Sequence, residues 1–383
     1  MIQVVAWWLW VELLGVIALP FILTLFKSLP DRGYALGKAL SILLISYLLW
    51  LVGLAGILPN TRWSILLIVA LLSLCSFFLF MRHRSQMSHF ISQNRSVIIV
   101  TEVLFLFSFV IWAIVRAHNP EIVHTEQPMD FTFFNGILRS QYFPPNDPWF
   151  SGHHISYYYF GYLMMAMLTK LVAVPASIGY NLALALLFAL AAIGAFSIVF
   201  NLVQMVSKDK AKAICFGLVA SISLLVLGNL EGMLEFLYAH GLGGGDFWRW
   251  VGIEGLAYPM EAGHCFTTDS WWWCRASRII NTVVNGNSLD YTITEFPFFS
   301  FLLGDLHPHL MSLPFILLGL TFSLNLLASR ESLGLAWLKK NPIQMLVVII
   351  CLGGLGFLNA WDLPTFTFIF IAAMFMQMYL QEG

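Results

Sequence analysis

Long, unbroken apolar segments dominate the chain, and short polar stretches separate them. Nine of these segments are about 16–25 residues long, the length that a helix needs to cross the hydrocarbon core of a bilayer. They lie at residues 3–25, 36–58, 63–81, 97–116, 179–205, 213–228, 310–328, 343–358 and 364–380. The pattern therefore predicts an all-α, polytopic membrane protein with about nine transmembrane helices.

The composition agrees with this prediction and excludes other classes of protein. Hydrophobic residues make up 59% of the 383 residues and charged residues only 10%, whereas a soluble domain carries about 25% charged residues. The formal net charge of −1 argues against a nucleic-acid partner, which needs clustered positive charge. We therefore expect a multi-pass protein of the cell membrane whose first partner is membrane lipid.

The positive charges predict the topology, because Lys and Arg accumulate in cytoplasmic loops. Four clusters mark these loops: Lys27/Arg32/Lys38, Arg82/Arg84/Arg95, Lys208/Lys210/Lys212 and Arg330/Lys339/Lys340. A tenth apolar stretch at 155–173 would place the third cluster on the wrong side if it crossed the membrane. We therefore expect 155–173 to lie in the interface or to dip in and return, which its run of tyrosines also suits. Most acidic and histidine side chains then fall on the outer face.

The outer loop after the fourth predicted helix contains paired acids. Glu126 and Asp130 are four residues apart, so a helix would place both carboxylates on one face, where they could act as a general base or bind a divalent cation. Farther along, Asp147 lies in a proline-rich turn that His154, Tyr158 and Tyr159 follow, and these four residues are predicted to bind substrate. The alternative interpretation is a solvated loop with helix caps and an aromatic belt.

The second outer loop combines tryptophans with two arginines. Arg275 and Arg278 are three residues apart and follow three consecutive tryptophans. A pair of guanidinium groups suits a phosphate, and the tryptophans suit the headgroup layer. The sequence predicts a phosphate-binding pair here, with simple interfacial anchoring as the alternative.

The most informative polar stretch lies inside an apolar segment at the outer boundary. Asp305, His307 and His309 alternate there, and ionisable groups at such a depth are costly and usually functional. We expect these three side chains to ligate a divalent metal ion. A hydrogen-bonded polar cluster that closes a helix end is the alternative.

Five motifs together resemble the bacterial and archaeal YYY membrane proteins, the family of domain of unknown function 2298. These motifs are EQPMDF at 126–131, FPPNDPW at 143–149, YYYFG at 157–161, EFPFFSFLLGDLHPH at 295–309 and NAWDLP at 359–364. The family is distantly similar to the GT-C membrane glycosyltransferases, which use polyprenyl-phosphate sugars. The resemblance implies a GT-C-like core at 97–383 that has outer loops and a juxtamembrane helix and is incomplete at its C-terminus. A three-helix segment at 1–96 precedes this core.

Two functions follow as alternatives. The resemblance implies a transferase in which Asp130, or else Glu126, is the catalytic base and a lipid-linked sugar is the donor. The other possibility is a non-enzymatic transporter or scaffold. A transporter places ionisable groups near the bilayer midplane, where the acids of this sequence are few, Glu12 and Glu102.

Overall fold

The computed structural model of the chain is mainly helical, and it describes residues 1–228, 230–253, 255–256, 263–331 and 333–382. Within these ranges the α-helices are α1 (Ile2–Leu25), α2 (Gly37–Leu54), α3 (Arg62–Gln93), α4 (Arg95–His118), α5 (Gln127–Arg139), α6 (Phe160–Val172), α7 (Ala176–Ser207), α8 (Lys210–Ile222), α9 (Glu231–Ala239), α10 (Gly245–Val251), α11 (Trp272–Arg275), α12 (Pro297–Leu303), α13 (Pro308–Leu327), α14 (Leu335–Lys340), α15 (Pro342–Leu358) and α16 (Asp362–Glu382). A 3₁₀ turn at Tyr34–Leu36 leads into α2, and a π-helical turn at Ser223–Leu227 follows α8.

The predicted fold class is confirmed. Eight helices in the described part of the chain are long and apolar enough to cross a membrane. The ninth predicted segment forms α15, which has seventeen residues and so spans roughly 26 Å at 1.5 Å per residue. The protein is therefore an all-α, multi-pass membrane protein.

The chain divides into two compact units. The larger unit comprises Met1–Ser221 and Gly304–Gly383, and the smaller comprises Ile222–Leu303. The smaller unit packs around buried Trp248 and contains an antiparallel hairpin of β1 (Ile280–Val284) and β2 (Asn287–Thr292). The boundary predicted between residues 96 and 97 stays a prediction.

Helix α7 is the central helix of the larger unit. Its apolar stretch is buried almost throughout, because small residues such as Gly194 let neighbouring helices approach closely. Helix α4 packs antiparallel to it, with the rings of Trp112 and Phe188 stacked 4.1 Å apart. Helix α13 packs against another side of α7 and is flanked by α15 and α16.

Polar contacts fix which loops share an end of this bundle. At one end, Asn201 at the end of α7 donates a hydrogen bond to Asp31 in the loop after α1 (2.7 Å). At the other end, Arg116 of α4 donates to Asn181 of α7 (2.9 Å). The loops that carry Lys27 and Lys208 therefore share one end, as the charge pattern predicts. The assignment of that end to the cytoplasm stays a prediction.

Helix α6 has both of its ends at the end of the bundle that carries Arg116. Near its start, Tyr162 bonds Asp130 of α5. Near its end, the Leu171 carbonyl accepts a hydrogen bond from Arg62, the first residue of α3 (3.1 Å). The expectation that 155–173 does not cross is thus confirmed. Its surroundings differ from the expected interface, because Tyr159 and Tyr162 are buried in protein.

Candidate functional site

Asp130 lies in the first turn of α5, with its side chain completely buried. Pro128 lies in the first turn of this helix, where its missing N–H costs nothing. Glu126 is the residue before the helix, and its carbonyl accepts a hydrogen bond from the Asp130 N–H (3.0 Å). The local sequence therefore places one buried and one exposed carboxylate about one turn apart.

His307 connects these acids to the segment before α13. Its Nε2 lies 2.9 Å from Glu126 Oε2, and its Nδ1 lies 4.0 Å from Asp130 Oδ2 and 3.8 Å from Asp305 Oδ2. We call Glu126, Asp130, Asp305 and His307 the carboxylate–histidine cluster. The structure thus brings together four residues that the sequence analysis placed in two separate segments, an outer loop and an apolar segment at the outer boundary.

Hydroxyl groups hold the cluster in place. Tyr162 donates a 2.5 Å hydrogen bond to Asp130 Oδ1, and Thr125 donates a 2.8 Å hydrogen bond to Asp305 Oδ2. The Tyr180 hydroxyl accepts from the Leu306 N–H (3.1 Å). Because Thr125 precedes α5 and Tyr180 belongs to α7, several helices must pack correctly before the site forms.

Burial raises the pKa values of the two buried carboxyl groups, Asp130 and Asp305, to different extents. It raises the pKa of Asp130 from 3.8 to about 8, although the Tyr162 hydrogen bond opposes the rise. Burial also raises the pKa of Asp305 from 3.8 to about 6, against the Thr125 hydrogen bond and the neighbouring His307. Two carboxyl groups whose environments shift their pKa values to different extents are typical of acid–base sites.

Three buried polar atoms of the cluster lack a hydrogen-bond partner among the described residues. They are Asp130 Oδ2, Asp305 Oδ1 and His307 Nδ1. Leaving a buried polar atom unpaired costs about 1–3 kcal/mol, so such atoms usually face a bound water, ion or substrate. These atoms are the ones that remain available for chemistry.

The cluster overlaps the predicted metal ligands at Asp305 and His307. No group of three or more His, Cys, Asp or Glu side chains in the described ranges forms a preformed metal site. The ring of His309 lies 5.4 Å from that of His307, and the predicted set of Asp305, His307 and His309 stays a prediction. The unpartnered carboxylate oxygens and imidazole nitrogen are nevertheless donor types that suit a divalent cation.

The sequence analysis missed Arg116. Its guanidinium is buried (3% exposed) and lies against Gly304, where an added Cβ would collide with it. Gly304 has φ +78°, so this position favours glycine for a second reason. A cation at the end of an apolar helix that is predicted to face outward runs against the positive-inside pattern, and this was the signal in the sequence.

The other residues predicted in the first outer loop have structural partners. Asp147 accepts hydrogen bonds from the N–H groups of Trp149 (2.8 Å) and Phe150 (3.0 Å), so it stabilises a turn. Buried Tyr159 accepts from the indole N–H of Trp50 (2.9 Å). Tyr158 is half-buried and His154 is exposed. Substrate binding by these four residues stays a prediction.

The two predicted phosphate-binding arginines lie in the smaller unit. Arg275 pairs with Glu235 (3.1 Å) and Asp269 (2.7 Å), so its charge is already balanced. Backbone and Arg275 hydrogen bonds lower the pKa of Asp269. Arg278 donates to the Ser277 hydroxyl (3.0 Å), and no described carboxylate pairs with it. Arg278 is therefore the better candidate for an anion.

Comparison with known proteins places the chain in a family. No match was found among curated proteins or among solved structures. The family model described as "Uncharacterized membrane protein (DUF2298)" matches residues 44–382, which include all four residues of the carboxylate–histidine cluster. The chain belongs to this family of membrane proteins, DUF2298.

Proposed function

We propose that the protein is a membrane-embedded transferase that moves a sugar from a polyprenyl-phosphate donor to a hydroxyl group. One observation carries the proposal: a buried carboxyl group, Asp130, has its pKa raised to about 8 and lies beside a histidine and a second carboxyl group at one end of the helix bundle. The resemblance to GT-C enzymes supplies the substrate class.

In this reaction Asp130 removes the proton of the acceptor hydroxyl. The acceptor oxygen forms a bond to the sugar carbon as the bond between that carbon and the phosphate oxygen breaks. The polyprenyl phosphate leaves with the electron pair, and Asp130 keeps the proton. Because its pKa is higher than that of Asp305, the Asp130 carboxylate is the stronger base of the two. Only a small fraction of Asp130 is ionised at neutral pH.

The other cluster residues position this base. Glu126 lies at Nε2 of His307 and fixes the orientation of the ring, so that Nδ1 is directed towards Asp130 and Asp305. Asp305 and His307 are the proposed contacts for the donor phosphate or for a divalent cation. Such a cation would neutralise charge on the departing phosphate.

Binding and turnover test the proposal separately. Native mass spectrometry measures whether purified protein retains a polyprenyl phosphate, and release of polyprenyl phosphate from a radiolabelled polyprenyl-phosphate sugar in native membranes measures turnover. Asp130→Asn should retain binding and lower turnover by about 100-fold or more, as for loss of a general base. The matched control is Glu121→Gln, an exposed carboxyl group before α5, which should change neither.

A further outcome bears on the donor site. No specific binding of polyprenyl phosphate to the wild-type protein would overturn the transferase proposal.

One observation favours a transporter as the second candidate. Lys38 of α2 pairs with Glu12 of α1 (3.1 Å) and Glu102 of α4 (2.7 Å), all on membrane-spanning segments. Intramembrane ionisable groups often mark ion pathways. A Glu102→Gln variant that abolishes solute or proton flux in proteoliposomes, with donor binding unchanged, would favour this function.

A further inference from the structure

A second site lies at the other end of the bundle from the carboxylate–histidine cluster. It is a cavity of about 590 Å³ between α1, α2, α3 and the start of α15. Helix α15 begins there at Pro342 and ends near Phe357, whose ring stacks 5.2 Å from that of Phe160 close to the cluster. The cavity is therefore separate from the proposed transferase site.

The polar rim of the cavity is cationic. Lys27, Arg82, His83 and Lys340 line it, and no Asp or Glu among the described residues does. The structure records no ion pair between Lys27, Arg82 or Lys340 and any described carboxylate. Three uncompensated positive charges around one cavity favour an anionic ligand.

The remaining wall is apolar. Phe21, Leu44, Phe78, Leu79 and Val347 line it. The volume corresponds to roughly twenty water molecules at about 30 Å³ each, which is far more than one inorganic phosphate fills. A charged rim joined to a long apolar wall fits a phosphate that carries a hydrocarbon chain.

The depth of these residues matches a bilayer leaflet. From Arg62 to Arg82, helix α3 rises about 30 Å at 1.5 Å per residue, close to the thickness of the hydrocarbon core. The helix breaks at His83, where φ is −118° and ψ is 19°. Arg82 and His83 thus reach headgroup depth, while Phe78 and Leu79 lie about one turn deeper, at acyl-chain depth.

We propose that this cavity binds an anionic phospholipid of the adjacent leaflet. The phosphate contacts Lys27, Arg82 and Lys340, and one acyl chain follows the apolar wall. The site is independent of the transferase proposal, because no residue is shared between the two.

Native mass spectrometry of delipidated protein with added lipid tests the site. The probes are phosphatidylglycerol, phosphatidylcholine and inorganic phosphate. We expect one phosphatidylglycerol to be retained in preference to phosphatidylcholine. A Lys27→Gln/Arg82→Gln/Lys340→Gln variant should bind it about a hundredfold more weakly, because each cation near an anionic lipid contributes about 1 kcal/mol and 1.4 kcal/mol is a factor of ten.

A matched control removes the same charge from the same end of the bundle. The Arg84→Gln/Lys208→Gln/Lys339→Gln variant changes three cations that do not line the cavity and should bind phosphatidylglycerol as the wild type does. Equal losses in both triple variants, or equal retention of phosphatidylcholine, would overturn the proposal.

A further variant tests the acyl wall. Leu79→Trp keeps every cation and narrows the cavity, so it should weaken retention of phosphatidylglycerol. Retention at the wild-type level in Leu79→Trp, or displacement of the lipid by millimolar inorganic phosphate, would contradict a phospholipid as the ligand.

Discussion

Replacing Asp130 by Asn should make the protein more stable, and more so as the pH rises. The folded state raises the pKa of this carboxyl group from 3.8 to about 8. The contribution of the protonated group to the free energy of unfolding is therefore fully present below about pH 4 and is lost progressively up to about pH 8. The full pKa difference corresponds to roughly 6 kcal/mol, at 1.36 kcal/mol for each pH unit. Between pH 5 and pH 7 the change is about 3 kcal/mol, and Asn can still accept the Tyr162 hydrogen bond.

Thermal unfolding in detergent, followed by tryptophan fluorescence at pH 5, 6, 7 and 8, measures this effect. The melting temperature of Asp130→Asn minus that of the wild type should grow by on the order of 5 °C between pH 5 and pH 7. Other titrating groups cancel in this difference because both proteins share them. Glu121→Gln, at an exposed carboxyl group, should show no such trend. A difference for Asp130→Asn that is independent of pH would refute the reasoning.

Three further predictions concern the same end of the bundle. Transferase turnover should rise through pH 8, where Asp130 is half ionised, and level off about one pH unit higher; initial rates that fall above pH 8 would make Asp130 an acid instead. Gly304→Ala should lower unfolding stability by about 1–3 kcal/mol, because its Cβ meets Arg116, and adding Arg116→Ala should remove the steric part in a double-mutant cycle. Tyr180→Phe should cost about 1–3 kcal/mol in thermal unfolding, because the buried Leu306 N–H loses its acceptor; an unchanged melting temperature would contradict this.

The sequence predicts the helices well, because apolar length alone decides which segments can cross a bilayer. Charge counting also identifies 155–173 as a segment that does not cross, and the contacts of Tyr162 and Leu171 confirm it. These properties depend on composition and order along the chain, which the sequence contains directly.

The internal geometry of the site depends on packing between distant segments, and sequence patterns do not reveal it. Thr125 and Asp305 are 180 residues apart, yet they share a hydrogen bond. Tyr159 matches the pattern of an interface residue but bonds Trp50 inside the protein. Arg275 has the spacing of a phosphate ligand, while Glu235 and Asp269 take up its charge.

The ion-paired trio of Glu12, Lys38 and Glu102 constrains how the protein can be shortened. A chain truncated to begin after residue 96 would keep Glu102 on α4 and lose the ammonium group that neutralises it. An unpaired carboxylate within a membrane span is costly to insert. Lys38 of α2 therefore supplies the charge that balances a carboxylate of α4, and an expression boundary at residue 44, where the family match begins, would also remove it.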